Sequence, residues 1–279
     1  MKEYSKKLKN FLELIRKFDE YLKFEIVEIG AHPHGAQQER FHTLLDFFPD
    51  SKIHAFEIDE EECIKLNKIA KDGLKFYPYA LGDKEEKRKL YETNHPMCSS
   101  LYEPNEKLLK LFNNLSVAYL KKITEINTIS LDAFTKREKI ESIDFIKMDI
   151  QGAEKNLENV LTIVSEVEFL PIYNEQPLFG DVCTFLSSKN IMFHKFLGLS
   201  GRSLKPVILK NNINFPTQHM WSDAVFIKNI LKIDELNNSQ LLKQTIFSYL
   251  YGSPDLSYFC LINYDKKNKT NLAELFKKI

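Results

Sequence analysis

The stretch that most constrains the fold of this chain is IDFIKMDIQGAE, at residues 143–154. It begins as an apolar run typical of a buried strand, stops at Asp149 and Gly152, and continues into a helical pattern. In an open α/β sheet, ligands bind beyond the carboxyl ends of the strands. Asp149, Gln151 and Glu154 are therefore predicted to point into a crevice.

Two further strands end in the same way, FEIVEIGAHPHG at 24–35 and IHAFEID at 53–59. From about residue 24 to residue 229, apolar β-rich runs alternate with helical patterns. This predicts an α/β fold in which a mostly parallel sheet has helices on both faces. The predicted strands are 24–29, 53–57, 74–79, 143–148, 164–169, 192–197 and 223–228. Helical spacing is found in three apolar sets: Phe41, Leu44, Leu45 and Phe48; Ala153, Leu157, Val160 and Leu161; and Leu178, Phe179, Val182, Cys183 and Leu186.

The chain divides by pattern into three parts. Residues 1–23 form an amphipathic helix, 24–229 the main domain, and 230–279 a helical C-terminal extension, helical from 233 to 250. Residues 87–134 interrupt the alternation with prolines and serines, which predicts an inserted loop region with a short strand at 128–131. The apolar stripes at the two ends are consistent with covering the sheet or with forming a homodimer.

Composition excludes several classes of protein. The 279 residues carry no net charge and no long basic run, so no nucleic-acid partner is expected. No segment has the length and apolar character for membrane insertion. The four cysteines are scattered without a C-x-x-C pair, which argues against a disulfide framework or a cysteine zinc site and favours the cytoplasm.

The glycine loop after the first strand narrows the choice of ligand. Gly30 and Gly35 have the spacing of a phosphate-binding loop, but Ala36 and Gln37 replace the lysine and hydroxyl residue that such a loop needs. The dinucleotide pattern G-x-G-x-x-G is absent as well.

Acidic residues at the strand ends indicate a positively charged nucleoside. Glu57 ends the second strand, 27 positions after Gly30, where a carboxylate can accept two hydrogen bonds from a ribose diol. S-adenosyl-L-methionine carries adenosine, an ammonium and a sulfonium, and its positive charges complement Glu28, Glu57 and Asp149.

Seven motifs in order resemble the FkbM-type S-adenosylmethionine-dependent methyltransferases. They are VEIGAHPHG (27–35), HAFEID (54–59), ALGD (80–83), SSLYEP (99–104), ISLDAF (129–134), DFIKMDIQGAE (144–154) and SDAVF (222–226). The resemblance implies a Rossmann-like class I methyltransferase sheet of seven strands, mostly parallel with the last strand antiparallel. It also implies O-methylation of a sugar or polyketide hydroxyl.

By matching position, the resemblance implies that Gly30 and Gly35 hold the methionine portion, Glu57 the ribose and the turn at 79–81 the adenine, while Asp149 and Glu154 frame the site. The predicted cofactor-binding residues are Glu28, Gly30, Ala31, His32, Gly35, Glu57, Ile58, Tyr79, Ala80, Leu81 and Asp149. This chain departs from the family where His32, Pro33 and His34 follow the Gly-Ala pair, a place at which the family usually has asparagine.

Methyl transfer depends mainly on alignment, but an acceptor hydroxyl still benefits from a base. The candidates are Asp149, His95, His219 and Asp223. Asp149 could instead cap the helix that follows it. His32 and His34 could bind a metal together with Asp149, or they could be ordinary loop residues. No metal is predicted.

The leading hypothesis is O-methylation of a hydroxyl on a carbohydrate or sugar nucleotide, as in surface polysaccharide biosynthesis. The small-molecule acceptor is expected between the loops 87–104 and 197–221. The alternatives are a dinucleotide-dependent oxidoreductase or epimerase, and a non-catalytic relative that binds the cofactor or a partner.

Overall fold

The computed structural model describes residues 2–30, 39–147 and 157–279. The strands are β1 (Glu25–Ile29), β2 (Lys52–Phe56), β3 (Leu74–Tyr77), β4 (Ala80–Leu81), β5 (Glu86–Thr93), β6 (Leu120–Ile129), β7 (Phe145–Lys147), β8 (Thr162–Glu168), β9 (Ile191–Phe196), β10 (Ser200–Arg202) and β11 (Gln218–Lys228). The α-helices are α1 (Lys2–Phe18), α2 (Leu44–Phe47), α3 (Glu60–Ile69), α4 (Glu106–Leu109), α5 (Leu131–Glu138), α6 (Phe179–Ser188), α7 (Asn238–Leu250), α8 (Pro254–Asn268) and α9 (Leu272–Phe276).

The main sheet has the order β3-β2-β1-β7-β8-β11, and β9 and β10 both pair with β11. The strands from β3 to β8 are parallel, whereas β11 runs antiparallel to β8. This confirms the predicted class I methyltransferase sheet with an antiparallel last strand. The sheet has eight strands instead of seven because the short β10 pairs with the start of β11. Gly201 permits that pairing, since a Cβ there would lie 1.9 Å from the carbonyl oxygen of Gln218.

Apolar side chains cover both faces of the sheet. On one face, Phe11 of α1 and Phe247 of α7 share a buried cluster with Phe24 and Phe145. On the other face, Phe134 of α5 and Leu186 of α6 pack against strand residues. Both ends of the chain therefore contribute to the core on the same face of the main sheet, through α1 and through α7 and α8.

The prediction of a loop region over 87–134 is wrong at the two ends of this range, which form strands, while 94–119 carries only short helices and loops. Strands β5 and β6 pair antiparallel, and β4 pairs parallel with β6 to form a second, three-stranded sheet. The sequence pattern is weak because charged residues occupy the exposed positions of both strands. The strand predicted at 128–131 is the end of β6, and Leu131 belongs to α5 because the Ser130 hydroxyl caps that helix at Ala133 N, 3.1 Å away.

Several element boundaries differ from the prediction. The third strand ends at Tyr77, since Tyr79 leads into β4 of the second sheet. Phe41 lies in a 3-10 helix, Arg40–Thr43, that precedes the short α2. Leu157 and Val160 are fully buried in a turn, so the predicted helix does not continue through them; Met148 and Ala153 lie outside the described residues.

The C-terminal extension is helical, as expected, but it is broken before α7. A 3-10 helix, Ile230–Glu235, is followed by Asn237, whose side chain accepts a hydrogen bond from Gln240 N and starts α7. Helices α8 and α9 then complete the chain. Within the three described ranges, none of the helices has the length and apolar character needed to cross a bilayer.

Candidate functional site

A cavity of about 380 Å³ opens at the carboxyl ends of β1 and β2, beside the turn that follows β3. Its volume is in the range of sites for nucleotide-sized ligands. The lining residues are Ile29, Gly30, Phe56, Glu57, Ile58, Tyr79, Ala80, Leu81, Leu90, Pro96, Met97, Ser99, Ser100 and Leu101. Six predicted cofactor-binding residues, from three separate segments of the sequence, thus meet in one place.

Gly30 forms the floor of the cavity where β1 ends. Its φ of +73° lies in the left-handed region, which disfavours a residue with a side chain. A Cβ built on Gly30 would have no atom within 4 Å, so the space above this backbone is open to a ligand.

Glu57 presents a carboxylate to the cavity from the end of β2. Its backbone N–H donates to Tyr77 O, at 3.1 Å, which continues the pairing with β3. Its Oε1 accepts a hydrogen bond of 3.0 Å from Asp59 N, and this bond fixes the orientation of the side chain. Among the described residues nothing donates to Oε2, so that oxygen is available to a ligand.

The turn from Tyr79 to Leu81 forms a wall of the cavity. Ala80 and Leu81 are held by pairing with Thr128 and Ile129 of β6, so the second sheet sets the position of this wall. Tyr79 is anchored by Arg137, which donates to its hydroxyl at 3.2 Å. With Phe56 and Ile58, the wall provides an apolar slot suited to the flat face of a nucleobase.

The opposite wall comes from the inserted region. Pro96 and Met97 belong to a 3-10 helix, Pro96–Cys98, and two serines follow it. Ser100 pairs with Tyr91 of β5, and the Ser99 hydroxyl accepts from Thr93 N at 3.2 Å. Both serines therefore line the cavity.

Three of the base candidates, His95, His219 and Asp223, are among the described residues, and none of them lines the cavity. His95 caps the 3-10 helix by accepting a hydrogen bond from Met97 N on Nδ1, 3.3 Å away. His219 and Asp223 lie exposed on β11, where Asp223 is opposite Glu166 of β8. Asp149 lies outside the described residues, so its predicted role stays a prediction.

Glu28 is directed to a different place from Glu57. It is buried, and its Oε2 lies 2.7 Å from Nε2 of His42. Close by, Lys147 pairs with Glu39, and Arg40 donates to the carbonyl of Leu250 at 3.0 Å. These contacts form a polar cluster beside the carboxyl ends of β1 and β7, in which Glu28 and His42 are buried, Glu39 and Lys147 are half-buried and Arg40 is exposed.

Tyr251, which follows α7, joins this cluster from the C-terminal extension. Its ring stacks on Phe145 at a centroid distance of 5.7 Å, and its buried hydroxyl has no hydrogen-bond partner in the described part of the chain. Burial raises its pKa well above the ordinary value, and the charges of Glu39 and Arg40 act on it. The sequence had no signal for this residue, because no local pattern connects it with the strand ends.

Within residues 2–30, 39–147 and 157–279, no group of three or more histidine, cysteine or carboxylate residues is placed to hold a metal ion. His32 and His34, considered as ligands above, lie outside these ranges. So do Ala31, Gly35, Gln151 and Glu154 of the predicted site.

Comparison with known proteins agrees with the geometry. The methyltransferase FkbM domain matches residues 28–191, which include the end of β1, the residues that line the cavity and α6. A search of curated proteins found no match. Among solved structures, the crystal structure of the 23S rRNA methyltransferase ErmE is similar at 8% identity over 86% of this chain and 77% of that one, with a TM-score of 0.33. Because the family match spans more than half of the chain and coincides with the class I sheet and its cavity, the chain belongs to the FkbM methyltransferase family.

Proposed function

We propose that this methyltransferase uses S-adenosylmethionine, held in the cavity at the ends of β1 and β2. The observation that carries the proposal is Glu57, which lines the cavity and whose Oε1 is held by Asp59 N at 3.0 Å, while no described residue donates to Oε2. A carboxylate fixed in this way can accept hydrogen bonds from a ribose diol. The apolar slot beside it, between Ile58 and Leu81, suits the adenine.

The residues present fit this group in charge and in shape. Gly30 leaves open space for the methionine portion, and Glu57 adds negative charge near a ligand that carries positive charge. When bound, S-adenosylmethionine supplies a methyl group already activated by a positive sulfur. The chain has to bind it, exclude water with Phe56 and Leu81, and align the acceptor.

We further propose that the acceptor is a small molecule with a hydroxyl group, a carbohydrate or sugar nucleotide, and that methylation occurs on oxygen in the cytoplasm. The support is the wall with Ser99 and Ser100, whose hydroxyl groups can bind the polar edge of a sugar. The residue that accepts the proton is proposed from Asp149, His95, His219 and Asp223, as above.

Calorimetric titration with S-adenosylmethionine, and separately with NAD, tests the cofactor. We expect selective binding of S-adenosylmethionine that is weakened roughly a hundredfold in Glu57→Ala, since two hydrogen bonds to a charged group contribute about 1.5 kcal/mol each. Glu57→Gln removes the charge but keeps a side-chain oxygen that can accept the hydrogen bond from Asp59 N. Comparing it with Glu57→Ala separates the effect of the charge from the effect of losing this hydrogen bond. Glu61→Ala, on the exposed first turn of α3, is the matched control and should bind normally.

Binding of NAD instead would favour the oxidoreductase or epimerase, and binding of neither would refute the proposed cofactor. Turnover then tests the reaction. Formation of S-adenosylhomocysteine with a pool of sugar nucleotides supports O-methylation, whereas cofactor binding without product with any acceptor supports a non-catalytic relative.

A further inference from the structure

One edge of the cavity continues into an exposed apolar surface. Six large apolar side chains there are between 43% and 68% exposed, and we call this set the apolar rim: Met97, Leu111, Leu204, Val207, Ile208 and Ile213. Met97 also lines the cavity, so the rim begins at the candidate site. Exposed apolar side chains that are grouped in this way mark an interaction surface, unlike single ones.

Backbone contacts bring the rim together from segments that are far apart in sequence. Phe112 pairs with Leu204, and Lys205 N donates to Leu111 O at 2.8 Å. The segment that carries Met97 is connected through His95 N, which donates to Val117 O at 2.9 Å. These backbone contacts place the segments 95–97, 111–117 and 204–208 next to one another.

The exposure of this loop is built into the fold. The side-chain amide of Asn113, itself buried, donates to Val207 O at 2.7 Å and to Ser203 O at 3.2 Å. Beneath it, Phe112, Leu115 and Met220 form a small separate core. This core supports the backbone from inside and leaves Val207 and Ile208 pointing to solvent.

The stretch of sequence that carries this loop is basic. Between Asp181 and Asp223 the sequence has no acidic residue but contains Lys189, Lys195, Arg202, Lys205 and Lys210, although the chain as a whole has no net charge. Lys205 and Lys210 flank Val207 and Ile208 on the loop itself. Lysines around exposed apolar side chains complement a surface that is negatively charged outside and apolar just beneath, as an anionic bilayer is.

We propose that the apolar rim docks this protein onto the surface of an anionic lipid bilayer. Val207 and Ile208 lie at the boundary between headgroups and acyl chains, while Lys205 and Lys210 contact lipid phosphates, without any segment crossing the membrane. Docking places the cavity, through Met97, next to the bilayer. Resting on the proposed function, this identifies the acceptor as a glycan that is attached to a membrane lipid.

Co-sedimentation of the full chain with vesicles tests the docking. Vesicles of phosphatidylcholine alone are compared with equal mixtures of phosphatidylcholine and phosphatidylglycerol, at low and high salt. We expect binding to the anionic vesicles that weakens with salt. The variant Lys205→Gln/Lys210→Gln should bind about thirtyfold more weakly, since each lysine near an anionic surface contributes about fivefold. Val207→Ser/Ile208→Ser should lose about tenfold or more.

The control variants carry the same kinds of substitution at exposed positions outside the apolar rim. Ile69→Ser/Leu231→Ser removes apolar side chains that are 81% and 86% exposed, and Lys68→Gln/Lys266→Gln removes two exposed lysines. Both should bind vesicles normally. Every variant replaces exposed side chains, so unchanged thermal melting verifies folding.

Three results would overturn the proposal. The chain could fail to bind anionic vesicles, or the control variants could lose as much vesicle binding as the rim variants. Loss of self-association in the Val207→Ser/Ile208→Ser variant would instead show that the rim is a contact between two copies of the chain. Calorimetry with S-adenosylmethionine is run on the same preparations. Vesicle binding without cofactor binding refutes the proposed function alone, whereas cofactor binding without vesicle binding refutes the docking alone.

Discussion

Replacing Lys243 by methionine removes one half of a buried ion pair that connects the C-terminal extension to the main sheet. Lys243 Nζ, on α7, lies 2.8 Å from both carboxylate oxygens of Asp144, just before β7. The side chains are only 13% and 7% exposed. Asp144 Oδ2 also accepts a hydrogen bond from Glu25 N at 2.9 Å, so the carboxylate joins β1, β7 and α7.

The expected loss follows from what the substitution leaves behind. Methionine fills much of the space of the lysine stem, but the Asp144 carboxylate stays buried without its cation. Breaking a buried pair from one side costs about 3–5 kcal/mol. Because Glu25 N still donates to the carboxylate, we expect the lower end, about 3 kcal/mol of unfolding free energy measured by urea denaturation.

The loss should depend on pH. Burial raises the pKa of Asp144 above its ordinary value of 3.8, although the charge of Lys243 opposes the rise. A carboxyl group whose pKa is raised by folding adds stability below the unfolded pKa and loses it as the pH rises through the folded pKa. Without Lys243 the folded pKa rises further, so the deficit of the variant is largest near neutral pH and narrows as the pH falls toward about 4.

Two controls identify the cause. Lys277→Met breaks an ion pair with Glu274 of the same 2.8 Å length, but its partners are 53% and 62% exposed, and we expect no measurable change. Asp144→Asn/Lys243→Met removes both charges and should recover most of the stability. A loss below about 1 kcal/mol, or a deficit that is the same at neutral and acidic pH, would refute the reasoning.

Two further predictions concern buried groups. Tyr251→Phe should leave the free energy of unfolding unchanged or raise it slightly in urea denaturation, because it removes a hydroxyl without a partner among the described residues; a loss above about 1 kcal/mol would show that this hydroxyl is bound in the native protein. Cys63 and Cys260 should resist alkylation of the native protein at about pH 8, followed by mass spectrometry, since burial is the main cause that raises their pKa to about 11 and about 12 and leaves at most about one thiolate in a thousand. Labelling of either at the rate of the unfolded protein would contradict this.

Much of the cavity could be predicted from the sequence because its residues follow strands directly. Gly30 and Glu57 end β1 and β2, and parallel neighbours bring their carboxyl ends together in any sheet of this class. The turn from Tyr79 to Leu81 was assigned to the site by the resemblance to the FkbM family, through the motif at 80–83. The alternation of strands and helices and the order of the motifs were thus sufficient to predict that these residues lie close together.

The second sheet was missed for a physical reason. Strands β5 and β6 have one exposed face, and lysine and glutamate on it hide the apolar alternation. Their stability comes from pairing with each other, which local propensity does not express. As a consequence, the wall with Ser99 and Ser100 was predicted as a loop, although its place is set by this sheet.

The sequence by itself therefore determined the class of sheet, the edge that carries the site, and the acid that ends the second strand, because these depend on hydrophobic period and on residues that directly follow strands. Only the tertiary structure decided which distant segments meet there. The Asn113 amide holds Ser203, 90 positions away, and Lys243 of the C-terminal extension reaches Asp144. Such contacts depend on the packing of the whole chain, and packing is not encoded in any local pattern.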